Sequence, residues 1–100
     1  MSDLEARIRL ALTERGEMTM RRVLSGIGYF IEGSLAVAVI DDCLCVPVDL
    51  EAWATLLHEP GVRSLHFADQ VVRGWLLVEP EAIVDDEALT IWIERGLGDD

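Results

Sequence analysis

The sequence predicts an α+β fold, with a five-stranded antiparallel sheet and helices in the order α-β-β-β-α-β-β-α. Apolar residues recur at helical spacing near the amino terminus and again near the carboxyl end. Between these segments, short β-rich runs are separated by tight turn signals, which is typical of antiparallel strands.

The first helix is predicted from its cap and its periodicity. Ser2 and Glu5 form a capping box, in which each side chain satisfies a free backbone amide of the first turn. Apolar residues then recur at helical spacing at Leu4, Ile8, Ala11 and Leu12. Gly16 predicts that the helix ends near Arg15.

Residues 18–48 change to the period of strands. Turns are expected at Glu32-Gly33 and at Asp41-Asp42, on either side of a strand over residues 35–40. In that strand Leu35, Val37 and Val39 alternate with Ala36, Ala38 and Ile40. Both faces are therefore apolar, which predicts a central position in the sheet. Pro47 cannot donate a backbone hydrogen bond, so it is expected at a sheet edge or a strand end.

The second half of the chain predicts a helix, a hairpin and a closing helix. Asp49 is a good N-cap for a helix with Trp53, Leu56 and Leu57, which Pro60-Gly61 ends. Strands are expected over residues 64–68 and 71–78, with Asp69-Gln70 turning between them. Either Asp85 or Asp86 should cap the last helix. That helix should turn its apolar residues inward, at Leu89, Trp92 and Ile93.

Length and composition indicate one domain over residues 1–100, with 51% hydrophobic residues and a net charge of -11. The negative charge repels phosphate backbones, so nucleic acid is not the expected partner. The longest apolar stretch, residues 35–40, has the length of a strand, which gives no membrane span. The acidic amino terminus does not resemble a signal peptide, and two cysteines are too few for a disulfide scaffold. We therefore expect a cytoplasmic protein.

Two blocks of sequence carry a resemblance to a known family. Residues 23–33 begin with Val23-Leu24-Ser25-Gly26, and residues 71–80 end in an aromatic strand at Gly74-Trp75-Leu76-Leu77-Val78-Glu79-Pro80. With the closing residues 92–97, these blocks resemble the N-terminal domain of the TfoX/Sxy competence regulators in its short stand-alone form. Three residues differ from the family's Met-Phe-Gly-Gly element, with Gly26 retained.

The resemblance implies a two-layer fold similar to that of secretion chaperones. It implies a non-catalytic regulatory or protein-interaction role, since the family has no established catalytic residues to carry over. Full-length competence regulators have a second, helical domain, and this sequence ends at Asp100. We therefore do not expect activities that need that second domain.

Two cysteines and two histidines are the candidates for metal or nucleophilic chemistry. Cys43 and Cys45 alternate onto the same face of a strand, and only His58 and His66 could complete a metal site. A cysteine–histidine enzyme is the alternative function, because such pairs are often distant in sequence. No ligand spacing supports either arrangement, so buried structural thiols are the preferred interpretation. We predict no catalytic, cofactor-binding or metal residue and no cofactor.

The remaining polar motifs have structural explanations. Asp41-Asp42 and Asp85-Asp86 fit a hairpin turn and a helix start, and Gly26-x-Gly28 is interpreted as a turn. A basic patch of Arg21, Arg22 and Arg73 would give only weak support for nucleic-acid binding. The tryptophans Trp53, Trp75 and Trp92 are expected to form the core between sheet and helices.

The expected function is therefore a protein-interaction domain that binds a protein of unknown identity or a second copy of itself. The high apolar content of the sequence leaves apolar surface for contact with such a partner. A small cysteine/histidine-dependent enzyme and a chaperone-like binding module are the alternatives.

Overall fold

A computed structural model describes residues 3–98. In chain order the elements are α1 (Asp3–Leu12), β1 (Met18–Val23), β2 (Gly26–Ile31), β3 (Ser34–Ile40), β4 (Cys43–Pro47), α2 (Leu50–Leu56), β5 (Val62–Phe67), β6 (Gln70–Val78), a 3₁₀ turn (Pro80–Ile83) and α3 (Asp86–Leu97). Within these residues, three α-helices and one antiparallel sheet confirm the α+β class. The sheet has six strands, so the expected number of five is wrong.

The additional strand is β1, which pairs with β2 through a two-residue turn at Leu24-Ser25. Four of its six residues are exposed, and the polar Thr19, Arg21 and Arg22 interrupt any apolar alternation. The strand therefore lacks the sequence pattern of a half-buried strand. It is held in place by its pairing with β2.

The sheet has the order β1-β2-β3-β4-β6-β5, with every neighbouring pair antiparallel. Glu32-Gly33 and Asp41-Asp42 connect their strands as expected. Both residues of each turn have positive φ, as type I′ turns require. The third such turn is Ala68-Asp69, one residue before the predicted Asp69-Gln70.

Strand β3 is central in the sheet, as predicted. Val37 and Val39 lie in the core beneath the helices, while Ala38 and Ile40 lie in the opposite core. Ala36 breaks the predicted alternation and joins the helix-side core. The reason is a bulge between β2 and β3, where the register shifts by one residue.

The helices pack against one face of the sheet. The buried helix residues that contribute to this core are Leu4, Ile8, Leu12, Leu89, Trp92 and Ile93. Trp53, Leu56 and Leu57 of α2 pack at its margin. The opposite face has a smaller core of strand residues, Ala38, Ile40, Cys43, Cys45, Leu65 and Leu77. The inward faces predicted for the helices are thus confirmed.

Aspartates begin the second and third helices. The Ala52 amide donates to Asp49 Oδ1 at 2.8 Å, and the Ala88 amide donates to Asp85 Oδ1 at 3.0 Å. Asp85 is therefore the cap of α3 where the sequence allowed two choices. Ser2 of the predicted capping box lies outside the described residues.

The end of α1 and the position of Pro47 are the two further boundaries to compare with the sequence. Helix α1 ends at Leu12, and residues 13–16 form the turn that reaches Gly16. Pro47 is the last residue of β4, which lies between β3 and β6, so its place is a strand end and not a sheet edge. No helix within residues 3–98 is long and apolar enough to cross a membrane.

Candidate functional site

The Cys43 thiol lies beside two charged side chains. It donates a hydrogen bond to Glu79 Oε2 at 3.6 Å, and Arg63 Nη2 lies 3.8 Å from its Sγ atom. Arg63 and Glu79 also form a salt bridge with each other. Cys43 is buried, whereas both charged side chains reach the surface. The salt bridge therefore covers the thiol.

A register shift in the β5–β6 hairpin brings Arg63 into this cluster. Near the turn, Leu65 pairs with Val72, but the next residue, Ser64, pairs with Leu76. Residues 73–75 of β6 therefore have no partner on β5 and form a bulge. As a result, Arg63 pairs with Leu77. Counting pairs from the turn alone would have placed Arg63 opposite residue 74. Sequence reasoning therefore had no signal for this cluster.

The electrostatics of the cluster keep Cys43 in its thiol form. Burial raises the pKa of the Cys43 thiol, and the negative charge of Glu79 raises it further. Arg63 opposes that shift and lowers the pKa of the Glu79 carboxyl, mainly through their hydrogen bond. A reactive cysteine needs a lowered pKa, so these surroundings favour a structural role.

The other candidate donors do not join Cys43. Cys45 is completely buried, and its burial raises the thiol pKa to about 12. His58 and His66 are both exposed. Within residues 3–98, no hydrogen bond joins either imidazole to a thiol, and no three histidine, cysteine or carboxylate side chains form a metal-binding group. The prediction that both cysteines are buried free thiols is confirmed.

The paired aspartates lie where the sequence indicated. Asp41 and Asp42 form the β3–β4 turn, and Asp85 caps α3. The neighbouring Asp86 forms a salt bridge of 3.1 Å with Arg7 of α1.

Gly26 and Gly28 lie inside β2, so their interpretation as a turn is wrong. A Cβ atom at Gly26 would lie 2.0 Å from the backbone oxygen of Val39. Close strand approach is therefore what requires glycine at this position.

The three arginines considered as a basic patch are separated in the structure. Arg21 and Arg22 are consecutive on β1 and so point to opposite faces of the sheet. Three other strands lie between β1 and β6, which carries Arg73. The Arg73 guanidinium lies 6.0 Å from the ring of Trp53 instead. These residues form no common surface for a phosphate backbone.

The tryptophans are divided between the two cores. Trp92 is buried beneath the helices, and Trp53 packs at the edge of that core. Trp75 packs against the core on the opposite face, so its predicted position is wrong. Trp75 lies two residues before Leu77 on β6 and shares its face, whereas Leu76 and Val78 face the helices. The Trp75 carbonyl accepts a hydrogen bond from Trp53 Nε1 at 3.1 Å.

Two large aliphatic side chains are strongly exposed near the contact between α1 and α3. Leu10 is 79% exposed and Val84 is 75% exposed. Arg7 lies one helical turn before Leu10, and it donates a hydrogen bond to the Val84 carbonyl at 3.2 Å. Arg7 and Leu10 line a groove of about 220 Å³ that runs between the two helices. We call Leu10 and Val84 the α1–α3 patch.

A larger groove lies where α2 and the end of α3 approach each other. Its volume is about 780 Å³, and its walls include Val48, Leu56 and Leu97. The charged groups on its rim are of both signs, since Glu51 and Arg95 both line it. Arg95 is held against the ring of Trp92 at 4.3 Å. The groove therefore has no dominant charge that would select a ligand.

Comparison with known proteins adds no assignment for this chain. No protein-family model matches it, and no curated protein matches it. Functional reasoning therefore depends on the residues and their geometry.

Proposed function

We propose that this chain is a non-catalytic regulatory or protein-interaction domain, similar to the N-terminal domain of the TfoX competence regulators. The observation that carries this proposal is the α1–α3 patch. Leu10 and Val84 expose most of their apolar surface on either side of one arginine. Exposed aliphatic side chains beside a groove are a feature of many protein-binding surfaces.

Charge supports a protein other than a second copy as the partner. Each copy has a net charge of -11, so association of two copies brings together two strongly negative molecules. A partner without a strong negative net charge would not be repelled in this way. A cytoplasmic location belongs to the same proposal, and the two buried free thiols are compatible with a reducing compartment.

The resemblance supports the proposal through the second half of the fold. The resemblance implies the order α-β-β-β-α-β-β-α, and the α-β-β-α order of the elements after residue 48 agrees with the second half of it. The first half has one strand more than that order. The geometry of the cysteines does not favour the enzyme alternative, because both thiols are buried and their pKa values are raised.

The test compares proteins captured from lysate by the wild-type chain and by a Leu10→Gln/Val84→Gln double variant. Ile91→Gln is the matched control, since Ile91 is an exposed aliphatic residue of α3 outside the patch. We expect one or a few proteins to be retained by the wild type and the control but lost by the double variant. With the purified partner, losing two buried aliphatic contacts should weaken binding by about tenfold or more.

Three outcomes would contradict the proposal or change it. If no protein depends on the patch, the interaction surface is wrong. If many unrelated proteins are lost together, the chaperone-like alternative is favoured. If light scattering shows a dimer that the double variant abolishes, the partner is a second copy.

A further inference from the structure

We propose that the free edge of β1 binds an extended, acidic segment of a partner protein, which adds a seventh strand to the sheet. This inference rests on the proposed interaction role and adds to it a second surface and the chemistry of the partner. It is carried by three observations, which are the exposure of β1, the local charge of the β1–β2 hairpin and the placement of its two arginines.

The outer edge of β1 is uncovered. The strand lies at one end of the sheet, and its four central residues are exposed, including Met20 at 47%. An unpaired strand edge presents a row of backbone N–H and C=O groups to solvent. These groups can pair with an extended peptide, which is a common mode of peptide recognition.

The hairpin geometry identifies which backbone groups face outward. Val23 and Gly26 flank the two-residue turn, so this pair exchanges its hydrogen bonds across the hairpin. At the other end, the Glu32 amide donates to the Glu17 carbonyl at 2.9 Å. Hydrogen-bonded and non-hydrogen-bonded pairs alternate along a hairpin, and this bond lies where the alternation from Val23 and Gly26 places one. The residues between them that direct their N–H and C=O groups to the free edge are Met18, Met20 and Arg22.

The charge of the hairpin is opposite to that of the rest of the chain. Residues 18–31 contain Arg21 and Arg22 and no acidic residue. The remaining residues contain 19 acidic residues and six arginines, a net charge of -13. The free edge of β1 therefore presents local positive charge on an otherwise acidic molecule. An acidic strand is the occupant that this charge favours.

The two arginines are free to pair with carboxylates of a partner. Arg21 lies 4.4 Å from the centre of the Phe30 ring and pairs with Gly28, which carries no side chain. Arg22, on the other face, has no hydrogen bond, ion pair or ring contact with any of residues 3–98. Neither arginine is within 4 Å of a carboxylate in that part of the chain.

The arrangement defines the pattern of the bound segment. Arg21 and Arg22 point to opposite faces, and neighbouring residues of a bound strand do the same. Two consecutive acidic residues would therefore place one carboxylate beside each arginine. On either side, apolar or β-branched residues would contact Met20 on one face and Val23 on the other.

A second copy of this chain is a poor occupant. Pairing β1 with another β1 would bring four arginines together, and like charges across strands are destabilising. The other free edge of the sheet, β5, carries Arg63 and His66 and no acidic residue. Neither edge of a second copy is complementary in charge to β1.

The experiment is an NMR titration of the complete chain with a synthetic eight-residue peptide. The peptide has two central glutamates and flanks that alternate valine and threonine. The same peptide with two glutamines is the charge control, and a glutamate peptide with proline in both flanks is the backbone control. We expect the glutamate peptide to shift the amides of Met18, Met20 and Arg22 most strongly. Both controls should bind more weakly, the glutamine peptide by about fivefold.

Two protein variants separate charge from backbone pairing. Arg21→Gln/Arg22→Gln should weaken binding of the glutamate peptide by about fivefold and leave the glutamine peptide unaffected. Arg73→Gln, which removes one positive charge away from β1, should bind as the wild type does. Met20→Pro removes an outward N–H that β2 does not use, so it should abolish binding while the remaining spectrum stays folded.

Several results would overturn the inference. The first is a wild-type spectrum in which the glutamate peptide shifts no β1 amide. The second is a double variant that aggregates yet binds the peptide as before, since the arginines would then only protect the edge from self-association. The third is stronger binding of a single-stranded oligonucleotide at the same amides. A partner that depends on Leu10 and Val84 but not on β1 would overturn this inference alone.

Discussion

Cys45 makes the stability of the protein depend on pH in the alkaline range. The side chain is completely buried in the strand-side core, and burial raises its pKa from 9.0 to about 12. The folded state therefore holds the thiol proton more tightly than the unfolded state does. This contribution to stability is fully present below pH 9 and is lost as the pH rises towards 12. The test is the substitution Cys45→Ala.

The magnitude follows from the two pKa values. At pH 10 the unfolded thiol is mostly ionised, whereas the folded thiol is almost fully protonated. Linkage then gives a loss of about 1.4 kcal/mol between pH 7 and pH 10, which is about a tenfold change in the folding equilibrium. Cys45→Ala also removes packing, but this loss is the same at both pH values. Tyr29 and Cys43 also have raised pKa values, but both residues are present in the wild type and in the variant. Their contributions to the alkaline loss of stability therefore cancel in the comparison.

The assay is urea unfolding of the wild type and the variant at pH 7 and pH 10, followed by tryptophan fluorescence. The wild type should lose about 1.4 kcal/mol more than Cys45→Ala between the two pH values. Cys43→Ala is the control, because it retains Cys45 and should therefore keep the alkaline loss of stability that Cys45 causes. An equal alkaline loss in the wild type and Cys45→Ala would show that Cys45 ionises without unfolding, and the reasoning from burial would be refuted.

Two further predictions concern the helix cap and the strand contact. Asp85→Ala should lower the free energy of unfolding by about 1 kcal/mol, because it removes the cap of α3. Asp86→Ala removes only an exposed ion pair and should change it by less than about 0.5 kcal/mol; equal losses in urea unfolding would contradict the cap. Gly26→Ala should lower stability by about 1–3 kcal/mol, since its Cβ would overlap a backbone oxygen. Gly33→Asn, in an open turn that asparagine tolerates, should change the melting temperature little, and a larger effect at Gly33 would refute this assignment.

Features that depend on a few neighbouring residues were predictable. The Asp49 cap, a cap at Asp85 or Asp86 and the turn at Glu32-Gly33 follow from local backbone chemistry. The inward face of α3 follows from its 3.6-residue period. Strand β1 was missed because an exposed edge strand has no buried face to impose an apolar pattern.

Features that depend on register between strands were not predictable. One shift in β2–β3 moves Ala36 to the helix-side core, and another in β5–β6 brings Arg63 to Cys43 and Glu79. Each shift is stabilised by contacts distant in sequence. In β6, for example, the Gly74 carbonyl accepts a hydrogen bond from the Val48 amide at 2.8 Å. A pairwise count from the nearest turn cannot include such contacts.

The sequence by itself determined the α+β class, the start of α2 at Asp49 and the burial of both cysteines, since these depend on local backbone preferences and on apolar composition. The tertiary structure decided the number of strands, the cover over Cys43 and the position of Arg21 and Arg22 on a free edge. The physical reason is that strand order and register are settled by long-range pairing and packing. The two surfaces proposed for partner binding are products of that long-range arrangement.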